Sequence, residues 1–153
     1  MRIMSVVFIA FTVLAGCAVQ NSSVKSVDDF EAEAIAAITS YDAAKAQTVL
    51  GDESVVFVDV REPGELATSG KIPGSIHIPR GVLEYSIDPG HPRHNKIFSS
   101  GKTVVFYCAG GGRSVLATKL AKDMGVSNPV NLEGGFSAWA KAGGTIDPPT
   151  TKK

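Results

Sequence analysis

The chain has 153 residues, enough for one domain of ordinary size with extensions. Apolar residues make up 44% of it and charged residues 20%, with fifteen basic side chains against fifteen acidic ones and no long run of either sign. That balance gives no reason to expect nucleic acid or a polyanionic surface as partner, and with aromatics at 7% a base-stacking platform is not expected either.

The first residues, MRIMSVVFIAFTVLAGCAVQ, carry one cation, Arg2, and then an apolar run from Ile3 to Ala15. Thirteen residues fall short of the roughly 20 that a membrane-crossing helix needs. A charged start, a short apolar stretch and small residues at its end read as an export signal over residues 1–16. Its end, Leu14-Ala15-Gly16-Cys17, resembles the bacterial lipobox. The resemblance implies cleavage before Cys17, a lipid thioether on its sulfur and retention at a membrane outside the cytoplasm. Ala rather than Asp at position 18 favours the outer membrane of a host that has one. The alternative is an ordinary secretory signal cut after Ala18, with Cys17 incidental. If Cys17 carries lipid, Cys108 has no intramolecular partner, and an unpaired thiol in an oxidising compartment usually has a chemical purpose.

Residues 17–28 read as anchor and polar spacer. An N-terminal helical segment is expected over 29–50. It comprises DDFEAEAIAAI, with apolar side chains at Phe30, Ala34, Ile35 and Ile38, and a second helix capped by Ser40 and running through Ala44 to Leu50. Ser54–Val60 and Lys102–Cys108 are nearly continuous apolar, β-branched runs, the pattern of strands buried on both faces. Ser75–Pro79 is a short strand stopped by proline, PVNLEGG a last strand, and FSAWAKAGG a last helical turn or two. A helix follows Ser114 and stops at Gly125, and residues 147–153 form a frayed tail. Strands alternating with helices predict an α/β domain with a parallel sheet and helices on both faces.

VVFYCAGGGRS carries the chemistry. Cys108 leaves the C-terminal end of a buried parallel strand, the edge at which such sheets bind ligands. Ala109, Gly110, Gly111 and Gly112 let the backbone curl and aim N–H groups at one spot, Arg113 adds a cation, and Ser114 offers a helix cap. Such settings favour a thiolate and suit an anion. The bland alternative is a buried structural cysteine before a glycine-rich turn.

This loop resembles the active-site loop of rhodanese-domain sulfurtransferases. VDVREPGELATSGKIPGSIHIPRG resembles that family's earlier signature and VNLEGGFSAWAKAG its closing one, in the family's order. The resemblance spans roughly Leu50 to Ile146 and implies a rhodanese-like domain over 51–146 with a five-stranded parallel sheet. It further implies a Cys108 that takes sulfane sulfur from a donor such as thiosulfate and passes it to cyanide or a thiol. The backbone from Ala109 to Ser114 would hold the persulfide, with Arg113 neutralising charge. The Asp59-x-Arg61 pair looks mainly architectural in this family, with Arg61 also lending positive potential to an anionic donor.

Four residues separate Cys108 from Arg113, whereas phosphatases that share the fold keep five, so phosphatase and arsenate-reductase chemistry are demoted. A persulfide carrier with little turnover stays open as an alternative to an enzyme, and a protein acceptor is compatible with either. Glu62 and Glu65 read as solvated carboxylates, and Gly134-Gly135 as a tight turn. His77 reads as packing. His91 and His94 alone are a weak metal signal, and nothing in the pattern calls for a cofactor. The long insertion 81–101 suggests a rim over the site, with Tyr85, His91 or Arg93 as selectors.

Overall fold

The computed structural model describes residues 24–149. The export signal, Cys17 and most of the spacer lie outside the described residues, as does the end of the tail from residue 150. Five parallel strands, β1 (Thr39–Tyr41), β2 (Val55–Asp59), β3 (Ile76–His77), β4 (Thr103–Tyr107) and β5 (Asn128–Leu132), form one sheet in the order β1-β5-β4-β2-β3. Six α-helices surround it among the described residues: α1 (Val27–Ala37), α2 (Ala43–Thr48), α3 (Pro63–Ser69), α4 (Leu83–Ile87), α5 (Gly112–Asp123) and α6 (Gly135–Lys141).

The two apolar runs do what two-sided burial requires. Along β4, Val104 and Phe106 point to one face, into a core with Val58, Leu83, Ile87, Ala117 and Ala121 from the α4–α5 side. Val105 and Tyr107 point to the other, into a core with Phe57, Ala46, Phe136 and Trp139 from the α2–α6 side. The expected five-stranded parallel sheet with helices on both faces is therefore the observed architecture.

The segment 29–50, read as wholly helical, holds the fifth strand. Thr39, Ser40 and Tyr41 pair with Val130, Asn131 and Leu132. Ser40 lies on this strand, and the cap of α2 is Asp42, whose carboxylate accepts from the Lys45 N–H at 2.7 Å. A strand of three residues is too short for a period-2 pattern, and the open edge of β5 supplies the order that local sequence does not. The tail is fastened at its start: Lys71 and Asp147 exchange backbone hydrogen bonds of 3.0 and 2.8 Å in an antiparallel bridge, and Ile146 packs on the core.

Candidate active site

β4 ends at Tyr107, and Cys108 follows at the C-terminal edge of the sheet, a free thiol only 2% exposed. The chain then turns back so that the N–H of Gly111 donates to the Cys108 Sγ at 3.1 Å. Of the three glycines, Gly111 alone takes a positive φ, 112°, where an L side chain is strained. That turn is also the start of α5. Its cap is Gly111 and its first residue Gly112, so Ser114 lies inside the first turn rather than capping it. The Ser114 hydroxyl is buried, 2.8 Å from both the Gly111 carbonyl oxygen and Asn131 Oδ1, its single hydrogen serving one at a time. Ser114 thus ties the loop to β5 through its side chain, and only its backbone N–H is left for a ligand. The N–H groups of Gly112, Arg113 and Ser114 precede any carbonyl the helix could offer them, so the loop presents donors next to a cysteine.

A second element holds the loop from outside. Gly134 and Gly135, both at positive φ (67° and 59°), bring the start of α6 onto it. The N–H of Phe136 donates to the Cys108 carbonyl at 2.7 Å and that of Ser137 to the Ala109 carbonyl at 3.0 Å. The pair read as a tight turn is a close backbone contact with the cysteine.

Arg113 does not stand as a lone cation. Its two terminal nitrogens donate to the two carboxylate oxygens of Glu65 at 2.7 and 2.8 Å, a fork-to-fork pair across 48 residues of sequence. Glu65 Oε2 also accepts from the Glu62 N–H at 2.9 Å, closing the capping box of α3. The Arg113 hydrogen bonds, aided by the Glu62 N–H and by the nearby positive charge, pull the Glu65 carboxyl down to about 2, against the opposing effect of burial. Arg113 is in turn held above its ordinary range, chiefly by hydrogen bonding to Glu65, with the Cys108 sulfur contributing in the same direction. The expectation of a solvated Glu65 is thereby corrected. The available signal was the Glu62-Pro63-Gly64-Glu65 sequence itself, a proline-led helix start whose third residue is fixed beside the same sheet edge.

Asp59 and Arg61 form the expected ion pair, but so deeply that it absorbs most of the arginine. Arg61 is 1% exposed; its Nε and Nη2 donate to Asp59 at 2.6–3.1 Å, Nη2 also to the Gly70 carbonyl and Nη1 to Ser69 Oγ, both at 2.8 Å. Its guanidinium stacks 4.2 Å from the Phe136 ring centroid. Burial works against its charge, and the Asp59 carboxylate together with Tyr107 more than offsets this. These bonds leave Arg61 one Nη1 hydrogen, and the residue lines the cleft between α3 and α6 beside Glu65 and Ala109. His77 joins the same cluster through its Nε2, 2.8 Å from the Arg61 carbonyl, and His94 sits between the Ser86 carbonyl and Ser99 Oγ at 3.2 and 3.0 Å.

A cleft of about 400 Å³ opens between α3 and α6, lined by Glu65, Thr68, Ala109, Phe136 and Ser137. In the 81–101 insertion, the Tyr85 and His91 rings pack at a tilt of 38° with centroids 5.0 Å apart, and Arg93 lies 5.9 Å from the Tyr85 ring. The helix that carries Tyr85 contributes Leu83 and Ile87 to the apolar cluster that contains Cys108.

The rhodanese-like domain family matches residues 42–142. Among curated proteins, the chain is 35% identical over 118 residues to the thiosulfate:glutathione sulfurtransferase of Saccharomyces cerevisiae, covering 70% of this chain and 81% of that one. It is 32% identical over 98 residues to a sulfurtransferase of Allochromatium vinosum, covering 64% and 83%. Among solved structures, a Rhodopseudomonas palustris protein of unknown function, put forward as a tyrosine phosphatase candidate, superposes with a TM-score of 0.79 at 44% identity, covering 82% of this chain and 97% of that one.

Proposed function

The chain belongs to the rhodanese-like domain family, and from that premise we propose that it is a sulfurtransferase that carries sulfane sulfur as a persulfide on Cys108. The observation that carries this reading is the six-residue cradle from Cys108 to Arg113, with the Gly111 N–H 3.1 Å from the sulfur. In the first half-reaction the Cys108 thiolate attacks the outer sulfur of a donor such as thiosulfate. The donor's S–S bond breaks, sulfite leaves with the electron pair, and Cys108 becomes a persulfide. In the second, a thiolate or cyanide attacks the outer sulfur and the Cys108 thiolate is released. Backbone N–H groups that hold anionic sulfur serve both steps without a proton donor, because sulfite and thiolate leave as anions. Names of relatives such as thiosulfate:glutathione sulfurtransferase support thiosulfate as donor and a small thiol as acceptor.

Phosphoryl transfer, raised by the Rhodopseudomonas palustris relative, fits less well. The loop has four residues between cysteine and arginine, the arginine is occupied by Glu65, and the sulfur is nearly enclosed. All three suit a small sulfur donor better than a bulky phosphate ester. We further propose that the chain is exported and anchored by lipid on Cys17, a reading that the Leu14-Ala15-Gly16-Cys17 sequence supports. Labelled palmitate incorporated by the wild type and lost in Cys17→Ser is the expected result; equal labelling of both removes the anchor.

Mass spectrometry after thiosulfate treatment tests the chemistry. A gain of one sulfur in the wild type and none in Cys108→Ser is expected, followed by loss of that sulfur to cyanide or a thiol. A stable persulfide with slow discharge identifies a carrier instead of an enzyme. No gain from any sulfane donor removes the proposal.

A further inference from the structure

We propose that Glu65 is a positioning residue for the chemistry of Cys108, acting through Arg113. The inference deepens the sulfurtransferase reading and rests on it for its kinetic arm. Arg113 is on α5 and Glu65 on α3, and the two elements touch the site from different crossovers of the sheet. Glu65 is itself held, because its Oε2 is pinned by the Glu62 N–H while both oxygens meet the guanidinium. A bidentate pair with one partner anchored to the backbone restricts a long arginine to one orientation. Both side chains remain over a third exposed, 39% for Arg113 and 34% for Glu65. At that exposure the pair adds little to stability, so its geometry is the better explanation of what it does.

The pairing also sets the charge that a donor meets. With Glu65 in place, the rim of the cradle carries a neutral pair instead of a bare cation, and the attraction for an anion falls to the backbone donors. Glutamine at position 65 keeps an acceptor for Arg113 but removes the negative charge, whereas alanine removes both. These two variants therefore separate positioning from charge.

The test is a double-mutant cycle with two readouts. In the first, Glu65→Ala lowers kcat/KM for thiosulfate and cyanide by about 10-fold in the wild-type background and by less than about 2-fold when Arg113 is already alanine. Glu65→Gln recovers most of kcat and lowers KM for the dianion. An equal loss from Glu65→Ala in both backgrounds, or none in either, overturns the proposal. The second readout needs no sulfur transfer: the ratio of alkylation rates of Cys108 by anionic iodoacetate and neutral iodoacetamide. Glu65→Gln and Glu65→Ala remove the same negative charge, so each raises this ratio. The glutamine, which still holds the guanidinium, raises it about 3-fold or more beyond the alanine, and in Arg113→Ala the two give the same ratio. A ratio indifferent to Glu65 overturns the proposal even if no sulfane donor is ever accepted. A wild type that is inert to every donor while the ratio behaves as stated removes the sulfurtransferase reading alone. Urea midpoints of all variants identify losses caused by misfolding, which shift midpoints in both backgrounds but leave the ratio unmoved.

Discussion

The backbone N–H of Phe136 donates to the carbonyl oxygen of Cys108 at 2.7 Å, so the closing helix of the domain is bonded directly to its candidate nucleophile. The contact exists because Gly135 has no side chain. A Cβ there would lie 2.5 Å from the Cys108 oxygen and 3.0 Å from both the Ala109 oxygen and the Gly111 nitrogen, at a φ of +59°. All three neighbours are backbone and cannot step aside. Gly135→Ala is expected to lower stability by about 2–4 kcal/mol and to abolish persulfide formation in whatever protein still folds. Near-normal transfer by Gly135→Ala at an unchanged urea midpoint would show that this contact does not support the cradle.

Gly112 is a contrasting case in the same loop. Its φ is unremarkable for the first residue of a helix, and an added Cβ meets only the carboxylate end of Glu31 at 2.5 Å, on a flexible side chain. Gly112→Ala is expected to be neutral or to raise stability by up to about 1 kcal/mol through helix propensity, with sulfur transfer within about 3-fold of the wild type. Loss of folding in this variant would mean that the three glycines are equally necessary, contrary to their dihedrals.

Asp59 and Arg61 form a pair in which neither side chain is more than 2% exposed. Removing one partner strands the other's charge in the interior. Asp59→Ala is expected to destabilise by about 3–5 kcal/mol, seen as a large fall in the urea midpoint, whereas Arg61→Lys loses the fork geometry and the stacking on Phe136. A cost below about 1 kcal/mol for Asp59→Ala would contradict the pair's structural role.

Glu65 makes stability depend on acid. Its carboxyl sits at about 2 in the folded chain against an ordinary 4.5, so the folded state binds its proton less tightly than the unfolded one. The stabilisation, small because both side chains of the pair are over a third exposed, is fully present above about 4.5 and is lost as pH falls from there towards about 2. The difference in melting temperature between the wild type and Glu65→Gln should hold steady above pH 5.5 and shrink towards zero through that window. A difference that is constant down to pH 2 rules out the ion pair as its source.

What the sequence made legible was whatever local pattern alone determines. Two apolar runs sufficed for the central strands β2 and β4, and the glycine-rich turn after Cys108 sufficed for the loop. Missed features depend on partners distant in sequence. The three residues of β1 are ordered by β5, which lies about ninety residues further on. Glu65 looked solvated because its partner, Arg113, is 48 residues away. Ser114 resembles a helix cap in sequence, but the positive φ of Gly111 starts the helix earlier and turns the serine inward to Asn131. Gly134-Gly135 was recognised as a turn, yet only the folded chain shows what the turn approaches.

Pairing of β1 with β5, and of α6 with the cysteine loop, has a consequence for synthesis. The thiol emerges from the ribosome well before residues 128–137, whose backbone completes both the sheet and the cradle. Until those residues follow, the cysteine lacks part of the architecture that surrounds it in the finished domain. The enclosure of this sulfur is therefore a property of the completed domain, acquired late.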